Sequence, residues 1–218
     1  MTLVAAIDRD PAEELVSKLC RVVAGFKLGI PLLLRYGAAY AHRLRKLCRD
    51  ALWIADLKLA DIGSTMVASV EPLLGAVDAF IAHAVVGVEG ALDQLANTLE
   101  EHGTKLVLVV AMSHPGASSL YNKLVEDNIE VARRIRAWGV VAPATMPELV
   151  ALVRSRLPEV KVFSPGVGAQ GAKPGDALCA GADYEIVGRL ITSSPDPLEV
   201  AKKVLAEQKK RLERCWKP

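Results

Sequence analysis

Aromatic side chains are scarce in this chain: Phe, Trp and Tyr together make up 5% of 218 residues. A core with few rings has to be filled by Ala, Val, Leu and Ile, which suits buried parallel strands layered under helices. Long apolar runs are also missing. None approaches the ~18 residues that a membrane span needs. The opening MTLVAAID meets an acid at Asp8 and has neither the charged start nor the cleavage site of a signal peptide. The expectation is a cytoplasmic protein with no membrane partner. Excess charge is absent too: 27 basic residues face 25 acidic ones. That balance gives no basic face for nucleic acid. Yet 51% hydrophobic and 24% charged residues exclude a disordered chain. There is no CxxC pair. Cys20, Cys48, Cys179 and Cys215 stand far apart without paired histidines, so they read as buried or incidental thiols and not as a zinc site or a disulfide framework. Nor does a GxGxxG follow the first strand, which runs straight into IDRDPAE.

What is present is an alternation. Short apolar runs at 2–7, 25–29, 51–56, 78–83, 105–111, 139–142, 160–164 and 184–188 read as strands. Helix-period stretches lie between and after them, at 11–22, 31–48, 64–74, 89–102, 122–137, 146–156, 174–181 and 197–215. The first of these opens on Asp10-Pro11, with Asp10 read as its cap and Glu13 and Glu14 in its first turn. No linker or low-complexity segment divides the chain. Eight strand–helix units over residues 1–218 predict one α/β domain, a closed (β/α)8 barrel. The basic end, AEQKKRLERCWKP, suits the exposed end of the last helix.

In such a barrel, functional groups gather at the C-terminal ends of the strands. The polar residues there are Asp8, Lys27, Asp56, Lys58, Asp61, His83, Ser113, His114, the SPGVGAQG loop from Ser164 to Gly171, and Gly188-Arg189. In ADLKLAD, strand alternation puts Asp56 and Lys58 on one face, with Leu57 and Leu59 on the other. Buried charges must neutralise one another, and Lys27 with Lys58 against Asp56 with Asp61 forms a balanced set. Gly166, Gly168 and Gly171 let backbone amides approach an anion. Gln170 can donate its amide there, and Arg189 can add a charged contact. Ser113 and His114 lack a GxSxG elbow, so Ser113 reads as a hydrogen-bond donor to a bound ring. His83 and His114 read as packed or hydrogen-bonded histidines, and His42 and His102 as surface residues of helices.

These segments resemble the orotidine 5′-monophosphate decarboxylase family, of the short archaeal type. The resemblance rests on AID8, FKLGIPL around Lys27, ADLKLADIGSTM around Lys58, MSHPGA around Ser113, SPGVGAQG around Gln170 and IVGR ending at Arg189, in family order. Departures are Ala84, Ala111, Met146 and Ala172, none at a residue the chemistry requires. The resemblance implies metal-free, cofactor-free decarboxylation of orotidine 5′-monophosphate to UMP. It makes Lys58 the proton donor in an array with Asp56, Asp61 and Lys27. It implies Asp8 and Lys27 at ribose hydroxyls, Ser113 at the pyrimidine, and Gln170, Gly188 and Arg189 at the phosphate, with Pro165 also among the substrate-binding residues. It also implies a homodimer in which Asp61, Ile62 and Thr65 reach the partner's site. Two alternatives stand beside it. One is a magnesium-dependent relative, 3-keto-L-gulonate 6-phosphate decarboxylase or hexulose-6-phosphate synthase, although these carry an acid near Lys27. The other is a non-catalytic barrel that only binds a phosphate ligand.

Overall fold

The computed structural model describes residues 1–215. Eight parallel strands form a closed barrel: β1 Leu3–Ile7, β2 Gly25–Gly29, β3 Leu52–Leu59, β4 Ala79–His83, β5 Lys105–Val109, β6 Gly139–Val141, β7 Lys161–Pro165 and β8 Tyr184–Val187. Each pairs with the next, and β8 returns to β1 through Val4↔Ile186. All eight lie where the apolar runs predict them, within a few residues at either end.

Alternation along the strands builds two cores. Val4, Ala6, Ile54, Ile81, Val107 and Phe163 point into the barrel. Leu3, Ala5, Ile7, Phe26, Leu28 and Trp53 point outward beneath the helices. Strand β2 sends Gly25, Lys27 and Gly29 inward. At Gly25 a Cβ would lie 2.3 Å from the Leu52 carbonyl oxygen, so only glycine lets β3 approach there. The glycines on either side leave the interior room that the Lys27 side chain occupies.

The helices are α1 Ala12–Leu19, α2 Ile30–Tyr36, α3 Ala38–Leu47, α4 Gly63–Val70, α5 Asp93–Glu101, α6 Pro115–Ser119, α7 Val125–Arg134, α8 Pro147–Arg156, α9 Asp176–Cys179, α10 Arg189–Thr192 and α11 Pro197–Cys215. Helix α1 buries Ala12, Leu15, Val16 and Leu19, the one-face spacing of an amphipathic helix. The expected helix over 31–48 is two, because Gly37 at φ +71° breaks it. The short α6 and α10 lie in segments read as loops. The 174–181 stretch holds only the four-residue α9.

Two other expectations are corrected. Asp10 does not cap α1: Pro11 takes the cap position without a side-chain bond, and the Asp10 carboxylate accepts the Tyr36 hydroxyl instead. The cysteines are not thiols. Cys20 pairs with Cys48 and Cys179 with Cys215. Wide sequence spacing hid this, because Cys20 and Cys48 follow the ends of α1 and α3, which pack side by side, with Cα atoms 5.5 Å apart. Cys179 ends α9 beside the end of α11. Trp216, Lys217 and Pro218, the last of the basic end and of the 1–218 domain, lie outside the described residues. Among the described residues, no helix is long and apolar enough to cross a membrane.

Candidate active site

A cavity of about 380 Å³ opens at the C-terminal ends of the strands. Its floor is apolar, with Ala6, Ile81, Val109, Val141 and Ile186 from the barrel interior. Its wall on the β1–β3 side is charged. Lys27 Nζ lies 3.2 Å from Asp8 Oδ1 and 3.1 Å from Asp56 Oδ2. Lys58 Nζ lies 2.7 and 2.6 Å from the two oxygens of Asp56. Asp8–Lys27–Asp56–Lys58 is therefore one alternating chain of charge across three adjacent strands. Register sets the order, since Ala6 pairs with Lys27 and Gly29 with Asp56.

The charges set each other's ionisation. Burial pulls the Lys27 ammonium down, but the Asp56 and Asp8 carboxylates outweigh it and hold the group above its ordinary value. Burial pushes Asp56 up, but Lys27 and then Lys58 outweigh it and hold the carboxyl below its ordinary value. Lys27 and Asp56 are almost closed off from solvent, whereas Lys58 is 41% exposed toward the cavity.

The balanced set expected from the sequence had Asp61 as its second acid. In the single chain that place belongs to Asp8. The Asp61 carboxylate accepts the amide of its own neighbour Ile62 at 2.7 Å, with Ile62 61% exposed and Thr65 also at the surface. Plain strand alternation is likewise not the reason Lys58 faces Asp56. Lys58 has φ +46°, and the β3–β4 register shifts between Ala55 and Leu59. Such a conformation costs a non-glycine residue on the order of 1–3 kcal/mol and persists only where its surroundings hold it.

Across the cavity lies the 166–175 loop. Gly166, Gly168 and Gly171 take φ of +117°, +78° and +99°, conformations that residues with a Cβ rarely adopt. Pro165, Gln170, Gly188 and Arg189 line the cavity, with Arg189 opening α10. Ser113 reaches over from the β5 end and donates to Gln170 Oε1 at 2.9 Å. Asp8, Lys27, Asp56, Lys58, Ser113, Pro165, Gln170, Gly188 and Arg189 thus share one cavity. Asp61, Ile62 and Thr65 do not line it in the single chain.

The histidines divide. His83 Nδ1 is 2.9 Å from the Tyr121 hydroxyl, which itself donates to the Val109 carbonyl at 2.8 Å. Nδ1 therefore carries the proton. Burial, with the Lys58 charge, keeps His83 below its ordinary value of 6.5. His114 is not packed; it is exposed at the cavity rim.

Sequence reasoning missed two supports. At Gly29 a Cβ would sit 1.9 Å from Asp8 Oδ1, so glycine is what lets Asp8 reach Lys27. Its signal was present, as the last residue of a strand beside two charges. Asn122 clasps the Met112 backbone at both ends, accepting its amide and donating to its carbonyl at 2.9 Å each. That holds the Ser113 segment in place, and nothing local in the sequence announces it.

Comparison with known proteins follows the same line. Residues 1–204 match the model of the orotidine 5′-phosphate decarboxylase / HUMPS family. An orotidine 5′-phosphate decarboxylase of Aeropyrum pernix is 49% identical over 199 residues, covering 90% of this chain and 82% of the relative. One of Sulfurisphaera tokodaii is 38% identical and covers 98% of both chains. The crystal structure of the orotidine 5′-monophosphate decarboxylase of Metallosphaera sedula superposes with a TM-score of 0.88 at 44% identity, covering 97% of this chain and 99% of that one. The Methanocaldococcus jannaschii structure, complexed with the inhibitor BMP, gives 0.88 at 33% identity, covering 95% and 98%.

Proposed function

Because the chain belongs to the orotidine 5′-phosphate decarboxylase / HUMPS family, we propose that it decarboxylates orotidine 5′-monophosphate to UMP, the last step of de novo pyrimidine synthesis, without metal or cofactor. The observation that carries this reading is the alternating Asp8–Lys27–Asp56–Lys58 chain facing a glycine-rich anion loop across one cavity.

The chemistry follows from the charges. Losing carbon dioxide from C6 of the pyrimidine leaves an electron pair on carbon with no adjoining carbonyl to receive it. An ammonium held at that carbon stabilises the developing negative charge and then delivers a proton to it. Lys58 has that character: it is the more exposed cation, aimed at the cavity by both oxygens of Asp56. The C6–carboxylate bond breaks, its electron pair stays on C6, and a C–H bond forms with the Lys58 proton. Asp56, kept ionised by two lysines, fixes the direction of that ammonium and lies on the side where a substrate carboxylate would meet negative charge.

Asp8 and Lys27, at the outer end of the array, suit ribose hydroxyls. Ser113 suits a pyrimidine edge. Gln170, the Gly188 amide and Arg189 suit the phosphate, with Pro165 packing beside them. The Lys27 charge fills the space between Asp8 and Asp56, where the magnesium-dependent relatives would need an acid. Ile62, apolar yet exposed beside Asp61, supports a homodimer in which Asp61, Ile62 and Thr65 complete the neighbouring site. A cytoplasmic location is consistent with this chemistry. The two bridges fit that location in a hyperthermophilic archaeon, whose intracellular proteins carry disulfides.

The test is to mix purified protein with orotidine 5′-monophosphate in EDTA and follow the fall in ultraviolet absorbance. Turnover that survives EDTA supports the reading. Turnover restored only by magnesium overturns the metal-free part of the reading. Binding of UMP without any turnover of the nucleotide leaves a phosphate-ligand binder.

A further inference from the structure

Glu185 is a carboxylate with no solvent exposure, on the outward face of β8 among apolar side chains. Burying such a group costs several kcal/mol unless it is fully satisfied. Its two oxygens accept the Gly175 amide at 2.9 Å each, and Oε1 also accepts the Ala177 amide at 3.2 Å. Gln208 Nε2 of α11 donates to Oε2 at 2.9 Å, and Gln208 Oε1 in turn accepts the Thr2 hydroxyl at 2.8 Å. Gly175 is the last residue of the 166–175 loop. It sits at φ +91°, where a Cβ would lie 2.5 Å from the Arg211 Cβ, so the loop end rests directly on α11. Arg211 Nε adds an ion pair to Asp176 at 2.9 Å, and Cys179–Cys215 ties the end of α9 to the end of α11.

We propose that Glu185 is a positioning residue for phosphate recognition: with Gln208 and Arg211 it pins the far end of the 166–175 loop to α11. The loop can then move only about its near end, at Pro165 and Gly166, and Gln170 returns to the same place beside Arg189 with each substrate. The inference rests on the reading of that loop as the phosphate grip. A pinned loop lowers the ordering cost of gripping a phosphate, and it matters only to ligands that carry one. Glu185 touches neither substrate nor reacting atoms.

That selectivity separates positioning from mere structural support. The measurement is kcat/KM for orotidine 5′-monophosphate and for orotidine, the same nucleoside without phosphate, in the full chain. Glu185→Leu leaves both amides unpartnered and is expected to lower the nucleotide value about tenfold while leaving the nucleoside value within about twofold. Glu185→Gln keeps one oxygen for the Gly175 and Ala177 amides and is expected to recover most of the loss. Should Glu185→Leu fail to fold, the half-exposed Arg211→Ala carries the same test, with a loss of about threefold confined to the nucleotide. Equal losses on both substrates, or no loss on either, overturn the proposal. If the unsubstituted chain does not turn over the nucleotide, the functional reading fails by itself. The latch is then judged by the affinity for inorganic phosphate, which Glu185→Leu must weaken and Glu185→Gln restore.

Discussion

Lys58 and Asp56 are two residues apart and make the shortest contacts in the charge array, yet they differ in what they can do. Asp56 is sealed between two ammonium groups and stays ionised, while Lys58 faces the cavity. Lys58→Ala is expected to abolish turnover, with the far-ultraviolet circular dichroism of the barrel retained; appreciable residual turnover would remove Lys58 from the chemistry. Asp56 also ties stability to pH. Its carboxyl is held below the ordinary 3.8, so its contribution is complete above that value and is lost as pH falls through the lower, folded value. Lys27 has the opposite sign: its contribution is complete below 10.5 and is lost as pH rises through its raised value. The urea-unfolding free energy of the native chain should therefore fall more steeply below about pH 4 than that of Asp56→Asn. Parallel slopes would show that the array is not what acid titrates. At this scale the sequence was legible where a charge stood at a strand end. Lys27, Asp56 and Lys58 were visible, but the part Asp8 plays as their second acid was not, because it depends on Gly29 leaving space between β1 and β2.

Whole elements were legible where periodicity ran long enough to count. The eight strands needed only short apolar runs at regular intervals. The helices failed locally: a left-handed Gly37 split one, and α6 and α10 were too short for a period to register. The loss matters most at α10, which opens with Arg189 and packs against the loop. Leu190 would lie 2.7 Å from a Cβ at Gly168, and Gly168 has φ +78°. Gly168→Ala thus strains the loop and pushes it away from α10. We expect KM for the nucleotide to rise by about tenfold, with kcat changed less. A calorimetric titration with UMP should show the same loss; an unchanged affinity would free the loop from any part in the phosphate grip.

At the scale of the molecule, cysteine pairing is the property the sequence concealed most fully. A disulfide is decided by where two helix ends meet, and spacing of 28 and 36 residues says nothing of that. Each bridge closes a long loop in the unfolded chain and contributes about 3–4 kcal/mol on chain-entropy grounds. Cys20→Ser with Cys48→Ser is expected to lower Tm by roughly 10 °C, measured by scanning calorimetry under non-reducing conditions. An unchanged Tm would mean the pair does not cross-link in solution. Assembly has its own test. In a symmetric dimer with shared sites, mixing inactive Lys58→Ala chains with inactive Asp61→Ala chains rebuilds one intact site per mixed pair, or about a quarter of native activity. No recovery after subunit exchange would place both residues in the same chain's site.

Closure of the barrel has a consequence for how the protein comes into being. The cavity is walled by Asp8 just past the first strand and by Arg189 just past the last, and β1 has its second neighbour only when β8 arrives. A chain still short of β8 therefore leaves β1 with one sheet edge unpaired. Strand β8 supplies the missing sheet partner and the outward-facing Glu185, and the next two residues supply Gly188 and Arg189. Completion of the ligand site and loss of the last sticky strand edge then depend on the same strand.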